Sequence, residues 1–120
     1  GAMIREFHVQ KIVPMPITSR RAYERSLVLL ARDFAQHGPS LHDATVVLSL
    51  ERLCQHFAWR ADNGLDDRVE LARCAVHIAR FAAWATDTGR AVLPDAASQL
   101  RDAAARTVAA RVPIPESAQS

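Results

Sequence analysis

Between Leu41 and Asp62 the chain carries apolar residues on two opposite faces of what the periodicity predicts to be a single helix. At ~100° per residue, Val46, Leu50, Leu53 and Phe57 form one stripe with Val47, Cys54 and Ala61 at its edge, whereas Leu41, Leu48 and Trp59 fall almost diametrically opposite. One face can fill the core of a small domain. The other has no place inside a small bundle, so it is expected to be covered by another chain.

A length of 120 residues suffices for one domain with a core and is too short for two. Hydrophobic residues make up 49% and charged residues 23%, which places the chain among ordinary globular sequences rather than disordered ones. The net charge of +2 argues against nucleic-acid binding by bulk electrostatics and leaves only a local patch to consider. Lys11 is the only lysine and the other basic residues are all arginine; with the abundance of alanine, this points to a GC-rich bacterial genome. Gly1 and Ala2 read as a tag scar before a native start at Met3. No leader pattern and no apolar run of ~20 residues occurs, so a cytoplasmic location is expected.

Residues 3–18 alternate moderately, with Phe7, Val9 and Val13 against Glu6, His8 and Gln10, before Pro14 and Pro16. They are expected to form an extended arm that lies across the helices through Phe7 and Val9 or pairs with another chain. Ser19 is a candidate N-cap for a first helix to about His37, with the stripe Tyr23, Leu27, Leu30, Ala31 and Phe34 and a stop at Gly38 and Pro39. Ser40 caps the second helix, with Asp43 at the capping-box position and Asn63 and Gly64 at its end.

A third helix starts near Asp66 and Asp67 and runs to Thr88. Its apolar residues wrap the circumference, with Val69, Val76 and Ala83 on one side and Leu71, Ile78, Phe81 and Ala85 on the other, so it should be the most buried. Pro94 and Asp95 open an alanine-rich fourth helix to about Val112, which must pack very closely or hold on weakly. Short connections favour an all-α, up-and-down four-helix bundle over residues 19–112, with the arm at 1–18 and a disordered tail at 113–120.

Chemical motifs are sparse. Cys54 and Cys74 lie equally far from Gly64 and would stand at one height of an antiparallel hairpin, where two small apolar residues filling an interface is the expected use. Cys54 and His56 point to opposite sides of a helix, and Cys74 with His77 supplies only two ligands, so no metal or cofactor site is expected. A bundle with a histidine on its second helix is similar to the histidine-containing phosphotransfer domains. Those place a small residue, usually glycine, four positions after the histidine and a lysine just before it, whereas Arg60 follows His56 at that distance and Gln55 precedes it.

The run Arg32-Asp33-Phe34-Ala35-Gln36-His37 resembles the arginine, polar residue, then histidine pattern of the HEPN ribonucleases, which are also compact helical bundles. The resemblance is confined to this run. It implies that Arg32 and His37 would stabilise a phosphate and assist attack by a ribose 2′-hydroxyl, across a dimer interface. Separately, Arg21, Arg25 and Arg32 share one side of the first helix and form a basic ridge able to meet phosphate or an acidic protein.

Tryptophan among charged neighbours is the stronger signal. Trp59 lies beside Arg52, Gln55 and His56, and Trp84 lies with Glu70, Arg73, His77 and Arg80. Trp and Arg are enriched where partners bind. With no serine centre, carboxylate pair or glycine-rich loop, the expected function is a small non-enzymatic interaction module, of the adaptor, regulator, antitoxin-like or secretion-chaperone kind. Its binding residues would be Leu48, Arg52, Gln55, Trp59 and Trp84, and its partner another protein or a second copy of the chain in a homodimer. The competing classes are a HEPN-like ribonuclease using Arg32 and His37 and a nucleic-acid-binding regulator using the ridge.

Overall fold

The computed structural model describes residues 2–37, 49–90, 93 and 96–112, and every regular element among them is helical. The N-terminal stretch is not extended. It forms α1 (Ala2–Phe7) followed by a π-helical segment (His8–Ile12), so the described chain holds five α-helices rather than four and an arm.

The reason lies in the positions of the prolines. Pro14 and Pro16 end a helix where they stand, but residues 3–12 contain no breaker. The wider π turn, closed by Val13 N–H donating to the His8 carbonyl at 2.9 Å, returns Ile12 to the buried side already occupied by Met3 and Phe7. Alternation would have buried Val9 with Phe7; Val9 is instead 60% exposed.

The long α2 (Ile17–His37) starts two residues before the expected cap, with the Pro16 carbonyl accepting from Arg20 N–H, and Ser19 lies inside its first turn. Its stripe of Tyr23, Leu27, Leu30 and Phe34 is buried as the periodicity requires, and Ser26 and Asp33 are buried with it. Gly38, Pro39, Ser40, Leu41, Asp43, Val46, Val47 and Leu48, which carry the expected stop, cap and upper turns of the next helix, lie outside the described residues.

A single helix over 41–62 is ruled out by Ser49. Its backbone is extended (φ −106°, ψ 143°), and its Oγ accepts from Arg52 N–H at 3.1 Å, capping α3 (Leu50–Asp62). Of the two opposite stripes, Leu50, Leu53 and Phe57 of the inner one and Trp59 of the outer one are among the described residues.

Asn63 and Gly64 end α3 in a Schellman turn: Gly64 N–H donates to the Ala61 carbonyl and Leu65 N–H to that of Arg60, with Gly64 at φ 63°. Asp67 then opens α4 (Arg68–Asp87) with a reciprocal capping box, accepting from Glu70 N–H at 2.8 Å while its own N–H donates to the Glu70 carboxylate. Leu71, Ile78, Phe81 and Ala85 are fully buried, each of the larger three contributing on the order of 1.5–3 kcal/mol of apolar burial.

Helix α4 packs against α1, α2, α3 and α5 (Ala96–Arg111). Leu100, Ala103, Ala104 and Thr107 form the buried side of α5, where it meets α3 and α4. The alanines leave room for close approach, so the alanine-rich helix is closely packed. The other apolar stripe of α4, however, is open: Val69, Val76 and Ala83 are exposed. Pro94, Asp95 and the tail from Pro113 lie outside the described residues. No helix among the described residues is long and apolar enough to cross a membrane.

Candidate functional site

Polar chemistry concentrates where α2 faces α3. Asp33 sits one position before Phe34 at the edge of the buried stripe of α2, and His56 and Arg60 fall beside Leu53 in helical angle, on the side away from Phe57, so all three side chains enter the core. Asp33 accepts two hydrogen bonds from the Arg52 guanidinium, at 3.0 and 2.8 Å, and one from His56 at 2.8 Å. A further contact of 3.0 Å comes from His37 Nδ1, one helical turn on. Burial pushes this carboxyl up, but the donors His56 and Arg52 outweigh it and hold Asp33 below the usual carboxylate range.

His56 is fully buried, and its tautomer follows from its neighbours. Nε2 faces Arg60 Nη1 at 3.4 Å, a group that only donates, so Nε2 accepts and Nδ1–H donates to Asp33. Burial, aided by Arg60, outweighs the attraction of Asp33 and lowers the histidine below its ordinary value, which keeps it neutral. Arg60, also fully buried, binds both oxygens of Asp66 in the loop before α4, and Arg25 reaches the same carboxylate at 2.8 Å. Asp66 is likewise lowered, burial being overcome by hydrogen bonds from Arg60 and Arg25. A continuous chain therefore runs from His37 through Asp33, His56, Arg60 and Asp66 to Arg25. Among the described residues no buried side-chain polar atom lacks a partner.

This network floors an open cleft of about 370 Å³ lined by Asp33, His37, Arg52, Gln55, Ala58, Trp59 and Asp62. Three of the residues expected to bind a partner, Arg52, Gln55 and Trp59, thus share one site. Trp59 is half-buried with its ring stacked on His56, centroids 5.7 Å apart and planes 20° apart. Gln55 is exposed, and Arg52 lies 4.3 Å over the Phe34 ring. Leu48 lies outside the described residues.

Trp84 does not belong to the cleft. Expected on a polar strip, it is only 6% exposed, packed on Phe7 and Phe81, with its indole N–H donating to Gln10 at 3.3 Å. The N-terminal helical segment covers it, which is why no anchor surface remains there.

The other candidate groups also separate. His37 lines the cleft with its Nδ1 directed at Asp33, but Arg32, five residues earlier and therefore ~140° away around the helix, is exposed and is not part of the lining. The basic ridge is interrupted, because Arg25 binds Asp66 and the Leu65 carbonyl, leaving Arg21 and Arg32 exposed on either side. Cys54 and Cys74 are free thiols, and burial pushes the Cys74 thiol up to about 12. Among the described residues no three His, Cys, Asp or Glu side chains are grouped to hold a metal ion.

The sequence reading missed the ionic network. The available signal was positional: Asp33, His56 and Arg60 occupy apolar-stripe positions, and a charge there requires an opposite partner. Compared with protein-family models, curated proteins and solved structures, the chain gives no match.

Proposed function

We propose that the protein is a non-enzymatic protein–protein interaction module that receives a partner over the α2–α3 cleft. Trp59 supplies the aromatic anchor and Gln55 the adaptable polar contact, while Arg52 forms part of the floor. The observation that carries this reading is the stacking of Trp59 on the buried His56 at the rim of the cleft. A large aromatic surface already fixed in place loses little freedom when a partner arrives, and such residues dominate binding energy. The floor beneath it has its charges paired internally, so it offers a shaped surface more than a reactive centre.

Replacing Gln55 with a photo-crosslinking residue and illuminating living cells is expected to give a discrete protein adduct that Trp59→Ala abolishes. No adduct, or one indifferent to Trp59→Ala, contradicts the reading. The adduct's mass separates a different protein from a second copy of the chain. The ribonuclease reading has one supporting observation: Nδ1 of His37 faces only acceptors, which leaves its Nε2 lone pair available in the neutral ring. RNA cleavage that His37→Ala removes without unfolding would support it, and intact RNA at high protein concentration would end it.

A further inference from the structure

The open stripe of α4 does not stand by itself. Beside it α5 lies close enough that the two helices enclose a groove, about 490 Å³ toward the start of α4 and continuing, through the shared Val76 and Arg101, into a stretch of about 350 Å³. Its floor is made of side chains that end at Cβ, among them Ala72, Ala79 and Ala104, and its walls carry Val76 and Val108. From Arg68 to Ala83 it follows α4 for about 22 Å, the length of a helix of roughly four turns.

Two observations say what fits. Val76, where the two stretches meet, is 38% exposed, and Val69, seven residues earlier on the same side of α4 and beside the lining, is 58% exposed, so apolar surface is presented along the first half of the groove. The charged residues in the lining are Arg68, Arg80 and Arg101, and no carboxylate is among them. From these we infer that the α4–α5 groove is a second docking surface, and that its occupant is an amphipathic helix of a partner protein whose apolar stripe is flanked by acidic side chains. The small floor lets the stripe sink between the two helices, and Arg68 and Arg101 meet the flanking carboxylates as forked donors, while Arg80, which donates to the Tyr23 hydroxyl, adds its charge. A second copy docked symmetrically through this groove would set the same arginines against one another. The surface lies on helices other than those of the Trp59 cleft, so a chain using both would bridge two proteins.

The test is a display selection on the intact protein. The probes are 16-residue helical peptides with a fixed leucine stripe and flanking positions varied among Glu, Lys and Gln, with binders to the Val76→Arg protein removed. Glu is expected to enrich at the flanks. The best peptide should bind at least tenfold more weakly to Arg68→Glu/Arg101→Glu, and its Lys-flanked counterpart should prefer that variant by a similar factor. Trp59→Ala should leave this binding unchanged, which separates the groove from the cleft reading. Failure to enrich any peptide, equal binding of Glu- and Lys-flanked peptides, or binding indifferent to Arg68→Glu/Arg101→Glu overturns the inference; an unchanged urea midpoint for Val76→Arg shows that the variant folds, and Ala72→Arg, at an exposed residue of the lining, serves in its place otherwise.

Discussion

The seam between α2 and α3 and the seam between α4 and α5 solve the same packing problem in opposite ways. The first is filled with charge: Asp33, His56, Arg60 and Asp66 lie in the core and consume one another's hydrogen bonds. The second is filled with small apolar groups, Ala103 and Ala104 beside Ala75 and Ala79, and leaves a trough along its outer side. A buried ionic seam tolerates no missing member, because each partner removed leaves a desolvated charge. An alanine seam tolerates no added member, because nothing can yield without separating the helices.

That contrast sets the expected order of effects. Asp33→Ala, which leaves the buried Nδ1–H of His56 without its acceptor and removes two hydrogen bonds from the Arg52 guanidinium, should cost about 3 kcal/mol or more by urea denaturation. Arg60→Met should be comparably damaging. Its combination with Asp66→Leu should recover most of the loss, since removing both charges is far less costly than removing one. A double variant no better than the single would break the account of the seam as a mutually satisfied pair. On the other side, Ala103→Leu should cost about 1–3 kcal/mol by overpacking where α5 meets its neighbours. Asp67→Ala, which removes the capping box of α4, should cost about 1 kcal/mol. Smallest of all, Val69→Lys should change the urea midpoint by no more than the equivalent of about 0.5 kcal/mol, because its side chain is in solvent.

The pH dependence sharpens the same comparison. His77 is lowered to about 4, first by burial and then by Arg80, with its Nδ1 2.7 Å from Ser26 Oγ and its ring stacked on Tyr23. An unfolded histidine takes up its proton near pH 6.5, whereas folded His77 waits until about 4. Between these values the unfolded state binds more protons, so stability falls as pH is lowered through the window. His56, also lowered, acts in the same direction. Asp33 and Asp66 extend the decline below pH 4, where the unfolded carboxyls protonate and the folded ones stay charged. The slope between pH 6.5 and 4 should flatten in His77→Gln.

The helical class and most of the buried stripes were legible from periodicity alone, because Tyr23, Leu27, Leu30, Phe34, Leu53, Phe57, Leu71, Ile78 and Phe81 recur at helical spacing with volume enough to make a core. The turn at Gly64 acts locally, which makes such a signal readable, whereas the start of α4 at Arg68 was placed two residues early, near Asp66, and the Asp67–Glu70 capping box was not anticipated. What escaped was set by tertiary contact. Residues 3–12 alternate weakly and read as extended, yet helical winding buries Met3, Phe7 and Ile12 together and sets Phe7 on Phe81 and Trp84, a gain visible only once α4 is in place. For the same reason Trp84 looked exposed and Asp66 looked like a helix-end charge. The apolar face expected opposite the inner stripe of the second helix rests on Leu41 and Leu48, which lie outside the described residues, and on Trp59; the open stripe of α4, in Val69, Val76 and Ala83, was not anticipated. Of the expected cleft residues, Arg52, Gln55 and Trp59 are neighbours because they share one side of α3, a local property.

The closed character of the α2–α3 seam is the premise for placing function on its rim, and the histidine side chains report on it directly. Long-range 1H–15N correlation spectra of the imidazoles at pH 7 should show His56 neutral with its proton on Nδ1, and His77 neutral as well. A charged His56 at that pH, or a neutral ring carrying its proton on Nε2, would contradict the hydrogen-bonded chain from Asp33 to Asp66 and with it the fixed platform beneath Trp59.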